Sequence, residues 1–191
     1  MTPRVGILGF QGCIEPHETI LSNLGVESVR VRTREDLSSV DRLILPGGES
    51  STMLRFLKLY DLIEPLREFG RTKPTWGICA GSILLAQEVH NPEQESLQLI
   101  NISAHRNFYG SQLDSFTTKL EITGLNNPVT AQFIRAPLLN PLPASSTQEE
   151  AQVLARLGEQ PVFFAHHNIW ACSFHVELGN DTSLHERFLT L

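Results

Sequence analysis

The sequence has few cysteines and no long apolar run, and both shortages limit the kind of protein that it encodes. Its three cysteines, Cys13, Cys79 and Cys172, form no C-x-x-C pair and cannot all be joined in disulfides. Such a set suits a reducing compartment. The longest apolar stretches, such as residues 78–86 and 161–165, are far shorter than a membrane span. We therefore expect a protein with no membrane-spanning segment.

Clustered basic residues are also missing. The formal net charge is -6, and Lys and Arg form no run of the kind that a nucleic-acid surface needs. Residues 1–5 lead directly into a strand-like run, without the apolar region of a secretory signal. We expect a cytoplasmic protein that binds neither nucleic acid nor membrane. At 191 residues, the chain is long enough for one domain with a sizeable core.

Short β-type runs alternate with helical patterns in the first half of the chain. The β-type runs are residues 4–10, 28–31, 42–45 and 74–78, and the helical patterns are residues 16–24, a segment carrying Met53, Leu54, Leu57 and Leu62, and residues 82–88. Ser50 or Ser51 is expected to cap the second of these helices. Alternation of this kind predicts a parallel sheet with helices on both faces.

The second half is richer in short β-type segments separated by Asn, Gly and Pro. They are residues 97–102, 117–122, 130–134, 153–157, 162–166 and 169–174. We expect antiparallel additions around the sheet, an exposed connection over residues 143–152 and a final short helix over residues 183–191. No repeat or linker divides the chain. The prediction is one three-layer α/β domain spanning residues 1–191.

The most informative stretch is Gly-Ile-Cys-Ala-Gly at residues 77–81, between a predicted strand and a predicted helix. It is the cysteine counterpart of the nucleophile elbow, in which a tight turn presents the central side chain at the carboxyl end of the sheet. The central residue takes a strained backbone conformation, and neighbours without Cβ atoms avoid collisions there. The alternative is a cysteine packed in the core. A catalytic cysteine also needs a base from elsewhere in the chain.

A histidine and a carboxylate near the C-terminus are candidates for the base and its orienting group. His175 and Glu177 are two residues apart, so both can project from the same side of an extended segment. A histidine held by a third group can take and return a proton. His166 and His167 are rival bases, but no carboxylate is close to them in sequence. A metal site made from these three histidines lacks the usual ligand spacing and carboxylates, and we expect no metal.

A second glycine turn follows the third predicted strand. Gly47 and Gly48 allow backbone N–H groups to approach a bound carbonyl or oxyanion, Glu49 can meet a ligand ammonium, and Ser50 offers a hydroxyl. The segment is not a phosphate loop, because it lacks the lysine of that motif. Without the cysteine turn, it would be interpreted only as a turn that caps a helix.

Together these motifs resemble the class I (triad-type) glutamine amidotransferases, and in particular the glutaminase subunits of pyridoxal 5′-phosphate synthase, the PdxT/SNO family. The similarity covers nearly the whole chain. It is carried by residues 5–12, 46–52, 77–81, 106–116, 133–137 and 173–178. Residues 110–116 and 133–137 distinguish this family from other triad amidotransferases. The resemblance implies a flavodoxin-like fold with a mainly parallel central sheet.

The resemblance also implies roles for individual residues. Cys79 would be the nucleophile, His175 the general base and acid, and Glu177 the group that orients it. The glutamine contacts would be Gly48, Glu49, Ser50, Ile134 and Arg135, and amides near Gly48 and Ala80 would hold the oxyanion. No cofactor is implied. The partners would be L-glutamine and a (β/α)₈ synthase subunit that receives ammonia through a tunnel and makes pyridoxal 5′-phosphate.

Two positions depart from the family pattern. Val176 stands where the family usually has proline, so it supplies an N–H and lacks the fixed φ of the ring. Ser111 stands where many bacterial members have arginine. Three alternatives stay open: a non-catalytic regulatory subunit, a glutaminase that serves another synthase, and a protease-like cysteine hydrolase. The last usually has a histidine soon after the cysteine, whereas Ser82 follows Gly81 here.

Overall fold

A central sheet and the elements around it are defined by a computed structural model that describes residues 3–106, 115–144 and 149–191. In chain order the elements are β1 (Val5–Leu8), α1 (Ile14–Asn23), β2 (Ser28–Val31), α2 (Arg34–Ser38), β3 (Arg42–Leu45), α3 (Ser50–Leu59), α4 (Ile63–Thr72), β4 (Thr75–Ile78), α5 (Ala80–Leu85), β5 (Ala86–His90), β6 (Ile100–His105), β7 (Phe116–Leu120), β8 (Val129–Phe133), β9 (Leu138–Pro141), β10 (Gln152–Leu157), β11 (Gln160–His166), β12 (Ile169–Cys172) and α6 (Ser183–Phe188).

The central sheet has seven strands in the order β10-β11-β12-β4-β3-β1-β2. The five strands from β12 to β2 pair in parallel. The two strands at the other edge, β10 and β11, are antiparallel additions. Two smaller sheets, β5-β6-β9 and β7-β8, complete the described β-structure. The predicted mainly parallel sheet with antiparallel additions from the second half of the chain is therefore confirmed.

Alternate residues of the central strands enter two separate hydrophobic cores, which is the period expected of an extended chain. On β3, Leu43 and Leu45 belong to one core and Ile44 belongs to the other. The first core also holds apolar side chains of α2, α3, α4 and α5. The second holds those of α1, α6, β7 and β8. Both sheet faces are thus covered, and the protein has three layers.

Several predicted boundaries need correction. The helix expected over residues 82–88 ends at Leu85, and the chain turns directly into β5, which pairs with β6. The helix expected to carry Leu62 ends at Leu59, and Leu62 is the N-cap of α4. Glu49, rather than Ser50 or Ser51, is the N-cap of α3, because its carboxylate accepts the Ser51 N–H.

The parallel arrangement brings the carboxyl ends of β1, β3, β4 and β12 to one edge of the sheet. The loops that follow these strands begin at Gly9, Pro46, Cys79 and Ser173. Ligand crevices of open α/β sheets lie at this edge. Among the residues described, no helix combines the length and the apolar character needed to cross a membrane.

Gly81 tests how tightly α5 is packed against the sheet. A Cβ at this position would lie 1.9 Å from the carbonyl oxygen of Leu45 in β3. Neither the backbone of Gly81 nor the Leu45 carbonyl can move aside easily, because both are packed between α5 and the sheet. We therefore expect Gly81→Ala to lower the free energy of unfolding by about 3 kcal/mol or more in urea titrations. A Cβ on Gly179 would meet only the Val176 carbonyl oxygen, at 3.7 Å. Gly179→Ala is the control and should change stability by less than about 0.5 kcal/mol. Equal losses in the two variants would contradict this packing.

Candidate active site

Cys79 occupies a sharp turn between β4 and α5. Its backbone angles are φ 49° and ψ −103°, a conformation that L-residues rarely adopt. The Cys79 N–H donates to the Cys172 carbonyl at 2.8 Å, and the Cys79 carbonyl accepts the Ser82 hydroxyl at 2.7 Å. A Cβ on Gly77 would lie 2.6 Å from the backbone of Gly81. The structure thus confirms the expected strained turn between glycines.

His175 lies just beyond β12 and is fixed on both sides. Its backbone N–H and carbonyl form a bridge with Gln132 of β8, at 2.8 and 2.9 Å. Its imidazole is buried and lies within hydrogen-bonding reach of the Cys79 thiol. A Cβ on Gly47 would lie 2.2 Å from His175 Cε1, so glycine at residue 47 makes room for the ring. The predicted cysteine and histidine therefore meet at the edge of the sheet.

Glu177 completes the group behind the imidazole. His175 Nδ1 lies 2.6 Å from Glu177 Oε1, and the Val176 N–H donates to Oε2 at 3.0 Å. The side chains of the histidine and the glutamate are almost fully buried. Residues 175 and 177 project from the same side of the chain, as the sequence predicted.

Burial and hydrogen bonding have opposite effects on the pKa values of His175 and Glu177. Burial by itself raises the pKa of Glu177, but the hydrogen bond from His175, the charges of His17 and His175 and a backbone hydrogen bond together outweigh it and lower that pKa to about 2. Burial likewise lowers the pKa of His175, but hydrogen bonds with the Cys13 and Cys79 thiols and with Glu177 outweigh it and raise that pKa. The site therefore favours an imidazolium next to a carboxylate.

One cleft collects every residue that the sequence analysis assigned to glutamine or to the oxyanion. It lies beside Cys79 and has a cavity volume of about 50 Å³. Its lining includes Gly48, Glu49, Ser50, Cys79, Ala80, Ile134 and Arg135. Ala80 is the first residue of α5, and such residues have N–H groups without intrahelical partners. The cleft thus has the polar backbone needed to receive an amide.

Glu49 is less free than the sequence suggested. Its carboxylate accepts hydrogen bonds from the Ser51 hydroxyl at 2.7 Å and from Arg106 at 2.8 Å. The pKa of Glu49 is lowered, chiefly by the hydrogen bonds with Ser51 and also by the charges of Arg106 and Arg135. Glu49 therefore stays anionic at the rim of the cleft.

Three residues that the sequence analysis assigned no catalytic or substrate-binding role lie around the site. The Gln11 side chain accepts the Glu49 N–H at 2.8 Å and supports the second glycine turn. The Cys13 thiol lies within 4.8 Å of ligand atoms of His175 and Glu177. His17 is fully buried beside Glu177. A signal did exist, because Gln11 and Cys13 follow β1 at the carboxyl edge, and His17 shares a helical face with Ile14 and Ile20.

The rival histidines are not near the thiol. His166 and His167 form a cluster with exposed Glu149, separate from the cluster that contains His175. Residues 166 and 167 precede β12, whereas His175 follows it. The three-histidine metal site considered from the sequence therefore does not form. The family segment 110–116, including Ser111, falls largely outside the described residues.

Comparisons with known proteins agree with this arrangement. The profile of the SNO glutamine amidotransferase family matches residues 7–191. A protein of Fervidobacterium nodosum named pyridoxal 5′-phosphate synthase subunit PdxT is 44% identical over 188 residues, which cover 98% of this chain and 96% of the relative. A Bacillus pumilus protein of the same name is 40% identical over 188 residues, covering 98% and 93%. A crystal structure of a glutamine amidotransferase matches with a TM-score of 0.88 and 38% identity over 97% of both chains.

Sheet order, turn and cleft therefore define a glutamine amidotransferase of the class I fold. Within that class, the chain belongs to the SNO glutamine amidotransferase family. The resemblance inferred from the sequence motifs is thereby confirmed.

Two buried histidines give the fold a measurable pH dependence. Burial lowers the pKa of His17 to about 4 and that of His185 to about 3, from 6.5. The unfolded chain binds protons at both groups near pH 6.5, whereas the folded protein does not. Lowering the pH from 6.5 toward 4 therefore favours the unfolded state and lowers the free energy of unfolding.

We expect His185→Gln to flatten this dependence, because glutamine does not titrate. The change between pH 6.5 and 4 should shrink by an amount on the order of 3 kcal/mol, measured by urea titrations at several pH values. His90, whose side chain is 37% exposed, provides the control variant His90→Gln. An unchanged slope in His185→Gln would refute the neutral buried state of this histidine.

Proposed function

We propose that the chain is a glutaminase subunit that hydrolyses L-glutamine to L-glutamate and ammonia for pyridoxal 5′-phosphate synthesis. The observation that carries the proposal is the meeting of Cys79, His175 and Glu177 beside a cleft lined by the residues expected to bind glutamine. Relatives that share 40 to 44% of its residues bear the name of that synthase subunit.

The first half of the reaction forms a thioester. The Cys79 thiolate attacks the side-chain amide carbon of glutamine, and the His175 imidazolium holds the proton that the thiol has lost. The amide oxygen becomes an oxyanion that accepts hydrogen bonds from backbone amides near Gly48 and Ala80. His175 then returns its proton to the amide nitrogen, the carbon–nitrogen bond breaks, and ammonia leaves. Throughout, Glu177 holds Nδ1 and balances the charge on the ring.

The second half regenerates the cysteine. Neutral His175 takes a proton from water as the water oxygen attacks the thioester carbon. A second oxyanion forms in the same place, and its collapse breaks the carbon–sulfur bond. Glutamate and the Cys79 thiolate result, with His175 protonated as at the start. No cofactor is required for either half.

The ammonia would pass to a (β/α)₈ synthase subunit docked over the cleft. Unprotonated ammonia is lost to water if it escapes, so a covered route between the two sites preserves it. We also propose that the protein acts in the cytoplasm and that its ligands do not include nucleic acid or membrane lipid.

The alternatives differ in what they require of the site. A regulatory subunit without turnover requires no contact among thiol, imidazole and carboxylate, yet His175 interacts with both Cys79 and Glu177, and all three residues are buried. In a protease-like hydrolase, the residue after Gly81 would be the base, but the Ser82 hydroxyl is bonded to the Cys79 carbonyl at 2.7 Å. A glutaminase for a different synthase uses the same chemistry and is distinguished only by its partner.

Replacing the nucleophile tests the proposal. Glutamate release, measured with a (β/α)₈ pyridoxal 5′-phosphate synthase subunit present, should fall at least about 1000-fold in Cys79→Ala. A glutamine-analogue diazo-ketone should label wild-type Cys79, located by mass spectrometry, and leave the variant unlabelled. Cys172→Ala is the matched control, because the thiol of this second buried cysteine donates to the Phe174 carbonyl and does not line the cleft. Full activity in Cys79→Ala would rule the proposal out, and activation by a different synthase alone would favour the third alternative.

Val176 tests the support of Glu177. Its N–H donates to Glu177 Oε2 at 3.0 Å, and proline would remove this donor. We expect Val176→Pro to lower kcat by about 10-fold or less, since one hydrogen bond to a charged group is lost while the bond from His175 stays. Val176→Ala keeps the N–H and should retain nearly full kcat. Complete inactivity of the proline variant, or an equal loss in the alanine variant, would show that the N–H is not the relevant feature.

A further inference from the structure

Two buried histidines continue the line of polar groups behind Glu177. His17 of α1 and His185 of α6 are both fully buried, and His17 Nδ1 lies 2.9 Å from His185 Nε2. His17 Nε2 faces Glu177 Oε1 at 3.9 Å. The sequence analysis gave neither histidine a role. The fold thus places an imidazole pair from two helices directly behind the carboxylate.

The hydrogen bond between the two rings fixes where their protons lie. Both imidazoles are neutral, because burial lowers their pKa values to about 4 and about 3. A neutral imidazole carries one N–H, so one ring donates and the other accepts. If His17 donated from Nδ1, its bare Nε2 would point a lone pair at the Glu177 carboxylate. If His185 donates instead, the N–H of His17 is on Nε2 and faces the carboxylate. The second arrangement is electrostatically favourable.

The N–H of His17 has no other acceptor. His17 Nε2 has no hydrogen-bond partner among the described residues, although it is fully buried. At 3.9 Å its contact with Oε1 is too long for a hydrogen bond and acts as an electrostatic attraction. An unsatisfied buried donor is costly, so the short movement that would tighten this contact is favourable. The Glu177 carboxylate is the acceptor within reach.

We infer that His17, held by His185, is a positioning residue that directs its Nε2 N–H to Glu177 Oε1 and so keeps the carboxylate aimed at His175. Glu177 Oε1 already accepts from His175 Nδ1, and Oε2 accepts from the Val176 N–H. A carboxylate oxygen has a second lone pair, which is available to His17. The inference rests on the proposed glutaminase function, because it assigns His17 an effect on turnover.

The titratable groups that face His17 come from two parts of the fold. Glu177 and His175 lie on the segment after β12, and His185 lies on α6. Asp181, just before α6, acts on His185. A weaker hold on Glu177 would loosen its hydrogen bond with His175 and destabilise the imidazolium. The thiolate of Cys79 would then form only at higher pH.

Substitution of His17 by glutamine or by asparagine distinguishes its contact with Glu177 from its contact with His185. Glutamine places its amide near the position of Nε2 and can still donate to Glu177, whereas asparagine places its amide near Nδ1 and can face only His185. We expect His17→Gln to keep kcat within about 3-fold of wild type. We expect His17→Asn to lower kcat by about 10-fold, because the attraction between His17 Nε2 and Glu177 Oε1 is lost. KM should stay within about 2-fold in both, because His17 does not line the cleft.

A second measurement needs no glutamine. Iodoacetamide alkylation of Cys79, followed by mass spectrometry over a range of pH, reports formation of the thiolate. In His17→Asn the midpoint of this profile should move to higher pH, and in His17→Gln it should stay at the wild-type value. Melting temperatures of all variants show whether each one folds, and His17→Leu, which lacks both nitrogens, should behave as His17→Asn.

The outcomes separate this inference from the proposed function. The positioning role is supported if His17→Asn loses kcat and shifts the midpoint of the alkylation profile, whereas His17→Gln does neither. This conclusion holds even if His17→Leu fails to fold. Equal behaviour of His17→Gln and His17→Asn would overturn the inference. This holds if both variants keep the wild-type kcat, and also if both lose kcat while the midpoint of the alkylation profile stays unchanged. If wild type and Cys79→Ala release glutamate equally, the proposed function fails, while the alkylation profiles still decide the inference.

Discussion

The strained backbone of Cys79 is the constraint around which the site is arranged. A residue with φ of 49° and ψ of −103° persists only if its surroundings hold it there. That hold comes from the bond to the Cys172 carbonyl, from the Ser82 hydroxyl, and from Gly81, which approaches the carbonyl of Leu45. Three neighbouring strands, β3, β4 and β12, therefore have to be in place before the sulfur can face the cleft.

The electrostatics follow from that arrangement. Because β12 pairs in parallel with β4, the chain beyond it carries His175 to the same edge of the sheet as Cys79. The bridge to Gln132 then fixes the imidazole from the opposite side. Burial here raises the pKa of a carboxylate, but the hydrogen bond from His175 and the neighbouring charges keep Glu177 ionised. Sheet topology and charge pairing thus depend on each other, and neither alone would give a poised thiol.

The sequence was sufficient to predict the fold class and the residues that gather at the candidate site, because these depend on local patterns. Alternating strands and helices predicted the parallel sheet, and glycines around Cys79 predicted the turn. Boundaries were less predictable: nothing in the composition of residues 82–88 shows that the helix stops at Leu85 to pair with a distant strand. The two histidines behind Glu177 were missed for a similar reason. His17 and His185 are 168 residues apart, and only the packing of α1 against α6 brings them together. Cap geometry at Glu49 depends equally on a distant group, Arg106.

The pairing of Thr75 with Ile169 joins segments that are far apart along the chain. Contacts of such long range form late in folding, because the entropy cost of closing a large loop has to be met before the contact can stabilise the chain. During synthesis, the segment with Cys79 leaves the ribosome well before the segment with His175. For that interval the nascent chain has Cys79 without His175, and the two side chains meet only when β12 inserts between β4 and β11. If the proposed function holds, a chain that is still being synthesised cannot yet act on glutamine.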